Sequence, residues 1–312
     1  MLVQGLLVGT MFSASNIYMW VSMKRIENAE RFFPAMKFGF VLPNNWGLSD
    51  PNDVISLASE AEELGIDSIW VNHHIINIGY IAERLNERPY YDALTILNFV
   101  AARTEKISLG TSVLVLPYLH PMALAKSLAT LDALSPKRVI AGLGVGGLPE
   151  ENAALGTIYD GRGPWSDEFI EVMQILWSEG AANYQGQHFT MNDLIVGPKP
   201  TEQSIKIWIG GGGQLARERA AKFGNGWHPL ATLNDFTQKV PKFEASLKNH
   251  SRDRADLTIA PRVEIESLPD LHSVKQWQDA GADQLIVNVG TSDLTRLREG
   301  LSHVAQLSSQ AN

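Results

Sequence analysis

The chain has 312 residues, 45% hydrophobic and 19% charged, an ordinary composition for a soluble protein with a large core. Its formal net charge of -8 and pI near 5.5, with no Lys/Arg cluster, argue against nucleic acid or an anionic membrane as main partner, because those need basic patches. The absence of cysteine excludes disulfides, thiolate metal sites and cysteine nucleophiles, and makes a reducing cytoplasm the expected compartment.

Residues 1–35 differ from the rest. Leu2 to Val21 is apolar but broken by Gln4, Thr10, Ser13, Ser15 and Asn16, and its cations, Lys24 and Arg25, follow the apolar part instead of preceding it. That is a poor secretory signal and a weak membrane span. The expectation is an N-terminal extension, disordered or translated from upstream of a true start at Met36, ahead of one domain over 36–312. The alternative is a short helix capping one end of the domain or a partner subunit.

From Met36 the pattern alternates. Lys37 to Leu42 reads as a strand, with Pro43 to Gly47 as its exit loop. Ser49-Asp50-Pro51 starts a helix that Gly65 stops. Ser68 to Val71 is a second short strand ending at Asn72-His73-His74. A loop from Ile75 to Arg88, long enough to be functional, precedes a helix over Pro89 to Thr104. Ile107 to Val115 is an apolar run of the kind buried on both faces of a parallel sheet. His120-Pro121 opens a helix whose Ala123, Leu124, Leu128, Leu131 and Leu134 recur at helical spacing until Ser135-Pro136. Arg138 to Leu143 then runs into Gly144-Val145-Gly146-Gly147.

A polar loop with Glu150, Glu151 and Arg162-Gly163 leads to a helix over Ser166 to Trp177. Tyr184 to Phe189 reads as a small hairpin, an insertion in the alternating pattern. Ile205 to Ile209 is a fifth strand running into Gly210 to Gly213, followed by a helix over Gln214 to Phe223. Gly226 to His228, Leu257 to Ile265 and Gln284 to Val289 complete the strands, with helices over 234–249, 271–280 and 293–307. Eight strands alternating with eight helices predict an α/β fold, a parallel (β/α)8 TIM barrel, whose ligands bind at the carboxyl ends of the strands. An open doubly wound sheet would need fewer strands.

The chemistry-bearing residues gather at those ends. Gly144 to Gly147 and Gly210 to Gly213 let the backbone approach an anion, and the N–H groups beyond them suit phosphate, although neither run matches a Walker or dinucleotide fingerprint. A tight turn alone explains either run equally well; four glycines directly after a strand favour phosphate. His73 and His74 point to proton transfer or polarisation beside a cofactor, and strand alternation allows only one to face the mouth. No third ligand at suitable spacing supports a metal site. Trp46, Tyr118, Trp165, Trp227 and His228 fall at strand exits or in their loops, where rings flank a flat ligand or plug the barrel end; for Trp227 the plug is the better reading.

The motifs Gly110-Thr111-Ser112-Val113-Leu114, His120-Pro121, Leu131-Asp132-Ala133-Leu134-Ser135, Arg138 to Gly146, Arg162-Gly163, Asp167-Glu168 and Ile207 to Gly212 occur in order across nearly all of 36–312. By them the chain resembles the luciferase-like monooxygenase family, barrel enzymes that use reduced flavin or deazaflavin. The resemblance implies a non-prolyl cis peptide at Ser112-Val113 backing the central ring, and a cofactor held by Asn72, Ser112, Val113, Gly144, Val145, Gly146, Gly147, Gly210, Gly211, Gly212 and Gly213. Beside it, the placement at strand exits makes His73 and His74 the expected catalytic residues and Trp46, Tyr118, Trp165 and His228 the expected substrate pocket.

The Gly-Thr-Ser-Val exit and the short chain are similar to the branch using coenzyme F420, with hydride transfer to or from a small organic substrate. Two departures stand out: that branch often reads Asp-His where this chain has His73-His74, and many members carry a glutamate where Gly147 stands. An FMN-dependent two-component monooxygenase using oxygen and a non-catalytic flavin-binding protein are the alternatives. The family implies a homodimer and a separate flavin or F420 reductase as partners.

Overall fold

The computed structural model describes residues 35–178, 180–201 and 204–311; apart from Ala35, the N-terminal extension expected over 1–35 lies outside the described residues. The chain order is β1 (Lys37–Val41), α1 (Pro51–Glu63), β2 (Ser68–Val71), α2 (Tyr80–Leu85), α3 (Ala93–Arg103), β3 (Ser108–Thr111), β4 (Leu114–Val115), α4 (Pro121–Leu134) and β5 (Val139–Gly144). It continues with α5 (Pro149–Leu155), α6 (Arg162–Trp177), β6 (Ala182–Gln185), β7 (Thr190–Leu194), β8 (Lys206–Gly210), α7 (Gln214–Phe223), β9 (Gly226–His228) and α8 (Leu233–Asn249). The last elements are β10 (Thr258–Ile259), β11 (Arg262–Glu264), α9 (Leu271–Asp279), β12 (Gln284–Asn288) and α10 (Leu294–Ala311).

The architecture is mixed α/β around one curled parallel sheet. Its strands pair in the order β10-β9-β8-β5-β3-β2-β1-β12-β11, with β4 also against β5, and every pairing is parallel. Hairpin β6-β7 stands apart as the expected insertion. The edge pieces β10 and β11 are separated only by Ala260-Pro261. Across that gap Ala260 N–H donates to Trp227 O and Arg262 N–H to Pro229 O on one side, while Asp283 N–H donates to Ile259 O and Ile286 N–H to Pro261 O on the other. Proline has no N–H to give a ladder, so the expected continuous strand Leu257–Ile265 reads as two pieces.

The elements form for local reasons. Asp50 caps α1 with Pro51 at its first position, and Val54, Leu57, Ala58 and Ala61 bury one face. Asp92 caps α3, which therefore starts at Ala93 and not at Pro89. Two short helices lie where the sequence suggests loops: α2 within 75–88, and α5, which Pro149 opens and Gly156 closes in the left-handed conformation. Helix α6 begins at Arg162, a turn ahead of the expected Ser166.

The larger apolar core fills the space between sheet and helices. A smaller cluster of Val41, Trp70, Trp208, Ala260 and Ile286 packs on the other face, where Trp70 stacks on Trp208 with ring centroids 5.0 Å apart. A Cβ on Gly110 would come within 2.4 Å of the Trp70 ring, so glycine there is a packing requirement. Among the described residues no helix is long and apolar enough to cross a membrane.

Candidate active site

Because the strands are parallel, the ends of β2, β3, β5, β8 and β9 open on one rim, the side where such sheets bind ligands. The expected run Ile107–Val115 is interrupted at Ser112-Val113, whose peptide bond is cis, as the resemblance implies. Val113 is wedged between two glycine exits: an added Cβ would approach its Cγ2 to 2.5 Å from Gly144 and its Cγ1 to 2.7 Å from Gly210. Three strand exits thus meet at one side chain.

Two clefts flank this bulge. The first, about 420 Å³, is lined by Asn72, His73, His74, Ser112, Val113, Gly146 and Gly147, together with Tyr80, Arg84, Tyr90 and Arg262. The second, about 320 Å³, is lined by Gly144, Val145, Gly210 and Gly211, by Gly161 to Pro164 at the start of α6, and by Ala216 and Arg219 of α7. Helices α6 and α7 are preceded by Gly161 and Gly213 at their N-cap positions, neither of which supplies a side-chain cap. At α7 the first N–H groups are therefore donors without a side-chain acceptor, a setting suited to an anionic group, whereas at α6 Arg162 N–H already donates to Tyr159 O and Pro164 has no N–H, which leaves Gly163.

The two histidines are chemically distinct. His73 is 3% exposed, and its Nδ1 accepts from Val115 N–H at 3.0 Å. Burial pushes its pKa down from 6.5 to about 4, so the ring is neutral at physiological pH. With Nδ1 accepting, the proton sits on Nε2, and His73 offers the cleft an N–H donor. His74 is held through Nδ1, 2.6 Å from Glu151 Oε2, while its Nε2 accepts from Tyr80 Oη–H at 3.2 Å. Glu151 is fully buried and also accepts from Ile75 N–H at 2.7 Å, from Ile76 N–H at 3.3 Å and from Tyr118 Oη–H at 3.0 Å. Burial acts to raise its pKa, but the His74 and backbone hydrogen bonds outweigh this and hold it below the usual carboxylate value. An ionised carboxylate orients His74 so that its basic nitrogen is Nε2.

Ser112 is fixed from behind. His228 Nδ1–H donates to Ala260 O at 2.6 Å, which leaves Nε2 to accept the Ser112 hydroxyl at 2.8 Å. Burial pushes the His228 pKa down to about 4, keeping the acceptor nitrogen free of a proton. Arg262 donates through Nη1 to Asn72 Oδ1 at 2.5 Å and, more loosely, to Ser112 Oγ at 3.4 Å. Asn72 in turn donates to Asn45 Oδ1, and its backbone N–H to Asn44 Oδ1, so the exit of β2 is locked by amides.

Several expectations need correcting. Both His73 and His74 line the first cleft, because β2 ends at Val71 and strand alternation does not extend to them. His228 is not a pocket residue: it is 3% exposed and stacks on Trp70 at 5.1 Å beneath Ser112. Trp165 packs against Phe169 and Phe189 and lines neither cleft. Trp46 lies under the Arg84 guanidinium at 4.4 Å and supports the first cleft without lining it. Tyr118 reaches the site through Glu151. Gly212 and Gly213 line neither cleft; Gly212 lies beside Lys239 and Gly213 precedes α7. Trp227 is fully buried against Phe236 and Phe243, the plugging role expected of it.

Glu151, Arg262, Tyr80, Arg84 and Tyr90 were not among the expected site residues. Glu151 carried a readable signal, since Pro149-Glu150-Glu151 before Gly156 is a helix start and stop. Arg262 carried none beyond its place after a proline in a strand.

The family model described as "Luciferase-like monooxygenase" matches residues 36–280. The F420-dependent glucose-6-phosphate dehydrogenase of Kineococcus radiotolerans is 33% identical over 181 residues, 57% of this chain and 52% of that protein. The chain thus aligns with about half the length of that relative. Among solved structures, an F420-dependent secondary alcohol dehydrogenase in complex with an F420-acetone adduct superposes with a TM-score of 0.74 at 18% identity, covering 88% of this chain and 98% of the other. A long-chain alkane monooxygenase superposes with a TM-score of 0.73 at 16% identity, covering 89% and 92%. Dehydrogenase and monooxygenase neighbours share the fold equally well, so fold alone does not divide them. With the matched segment running through every strand from β1 to β11, the chain belongs to the luciferase-like monooxygenase family.

Proposed function

We propose that the protein is an F420-dependent oxidoreductase that transfers a hydride between the deazaflavin and a small organic substrate. The observation carrying this reading is the meeting of the cis Ser112-Val113 bulge with the exits of β5 and β8 beside the His73/His74 pair. The F420 dependence named for the relative in K. radiotolerans favours the deazaflavin over FMN. When bound, the deazaflavin supplies the hydride acceptor or donor.

The residues fit such a group. Val113 offers an apolar back for a ring, and the glycine-lined second cleft, with the open start of α7, suits an anionic tail. His73 holds its proton on Nε2 and polarises a substrate oxygen as a hydrogen-bond donor. His74, oriented by ionised Glu151, takes or returns the substrate proton at Nε2, directly or through Tyr80 Oη. This division gives the histidine pair two tasks where the sequence alone leaves the choice between them open.

The same proposal makes the sheet a closed eight-stranded barrel, with β10 and β11 as one strand broken at Pro261; the bonds from Ala260 and Arg262 to one neighbour and from Asp283 and Ile286 to the other support it. It also makes the protein a cytoplasmic homodimer supplied by a separate reductase. The lack of cysteine supports the compartment, and exposed Phe99 and Leu134 support pairing.

Anaerobic mixing of reduced F420 with carbonyl substrates tests the reaction. Oxidation of the deazaflavin without oxygen is expected. Turnover only with reduced FMN and oxygen would establish the monooxygenase reading instead, and binding without turnover on any acceptor the non-catalytic one.

A further inference from the structure

The first cleft holds cations and donors that the proposed chemistry does not use. Arg84 and Arg262 both line it, and neither forms an ion pair with a carboxylate among the described residues. Arg84 donates through Nη2 to Asn45 O at 3.0 Å, and Arg262 through Nη1 to Asn72 Oδ1, so each is held by a neutral acceptor. The Nε of both and the hydroxyl of Tyr90 are buried with no hydrogen-bond partner. Three buried donors without acceptors at one cleft are a large exception to the rule that buried polar groups are paired. Leaving such donors unpaired is costly, more so where the group is charged.

The other charges at the cleft do not resolve this. Glu151 is committed to His74, Tyr118 and the backbone of Ile75 and Ile76. Glu264 lines the rim, is exposed, and accepts from Asn288 Nδ2. Trp46 fixes the Arg84 guanidinium plane from one side, which pre-organises its fork. Two planar guanidiniums and a phenol match an oxyanion, which accepts several bonds at once.

We infer that Arg84, Arg262 and Tyr90 form an oxyanion-binding subsite, so that the substrate carries a phosphate or carboxylate group beside the carbon that exchanges hydride. This specifies the substrate class of the proposed oxidoreductase and rests on that reading for the word substrate. The subsite itself is present without cofactor, so its test needs neither F420 nor turnover.

Inorganic phosphate and acetate are titrated separately into the cofactor-free protein, followed by thermal shift and calorimetry. Binding of one or both is expected: phosphate alone assigns a phosphomonoester, acetate alone a carboxylate, and both a site for either. Arg84→Gln and Arg262→Gln should each weaken that binding roughly tenfold or more, and Arg296→Gln, on the exposed face of α10, should leave it unchanged. Tyr90→Phe separates a binding role from a structural one. It removes a hydroxyl with no internal partner, so thermal stability should hold or rise while anion binding weakens. Binding of neither phosphate nor acetate, undiminished binding in both arginine variants, or a Tyr90→Phe protein that is destabilised yet binds normally would each overturn the subsite. Failure here leaves the hydride-transfer reading standing, and failure of F420 oxidation leaves the subsite standing.

Discussion

His74 Nδ1 lies 2.6 Å from Glu151 Oε2, and this contact joins the exit of β2 to a helix 77 residues further along the chain. Glu151→Gln keeps the shape and the acceptor for Ile75 and Ile76 but removes the charge that fixes His74. We expect kcat to fall by about 10- to 100-fold with KM changed far less, because orientation of a general base acts mainly in the transition state. Steady-state kinetics measure this, and an unchanged kcat would remove Glu151 from the site.

The two histidines should respond differently to the same replacement. An amide can substitute for a donor but not for a base, so His73→Gln should retain more activity than His73→Phe. His74→Gln should lose as much as His74→Phe, about 100-fold in single-turnover rate. Equal losses in both His73 variants would contradict the donor role.

Acid should destabilise the fold through two buried imidazoles. Burial lowers His73 and His228 from 6.5 to about 4, so between these values the unfolded chain binds protons that the folded chain does not. Stability is therefore lost as pH falls from 6.5 towards 4, by at most about 2 kcal/mol per imidazole at pH 5. Denaturant midpoints at pH 7 and 5 check this, and His228→Asn should show a smaller drop than the parent protein.

Glycine is required at the bulge for space. Gly144→Ala and Gly210→Ala would bring a methyl within 2.5 and 2.7 Å of Val113, and each should cost roughly 1–3 kcal/mol by overpacking. Gly147→Ala meets nothing within 4 Å and should stay within about 0.5 kcal/mol of the parent. Thermal unfolding of the three variants tests the ordering.

Much of this was legible in sequence where periodicity carries the signal. The apolar runs at 37–42, 68–71, 138–143 and 284–289 and the capped helix at 51–63 became strands and a helix with small boundary shifts, because burial on a parallel sheet leaves few alternatives. Ser112-Val113 and the glycine exits were located by motif. The site's polar wiring was not legible. The pairing of Glu151 with His74 and the approach of Arg262 to Asn72, 190 residues apart, are set by tertiary packing, which leaves no local spacing to read. His228 and Trp165 were misplaced because a strand exit can point into the interior or against a helix as readily as into the mouth.

The most direct measurement is a pair of fluorescence titrations of the purified protein, one with F420 and one with FMN, repeated on Gly210→Val. The account predicts saturable binding of the deazaflavin to the parent protein and its loss in the variant, where a side chain displaces Val113. Tight binding of FMN alone, or deazaflavin binding that is indifferent to Gly210→Val, would contradict it.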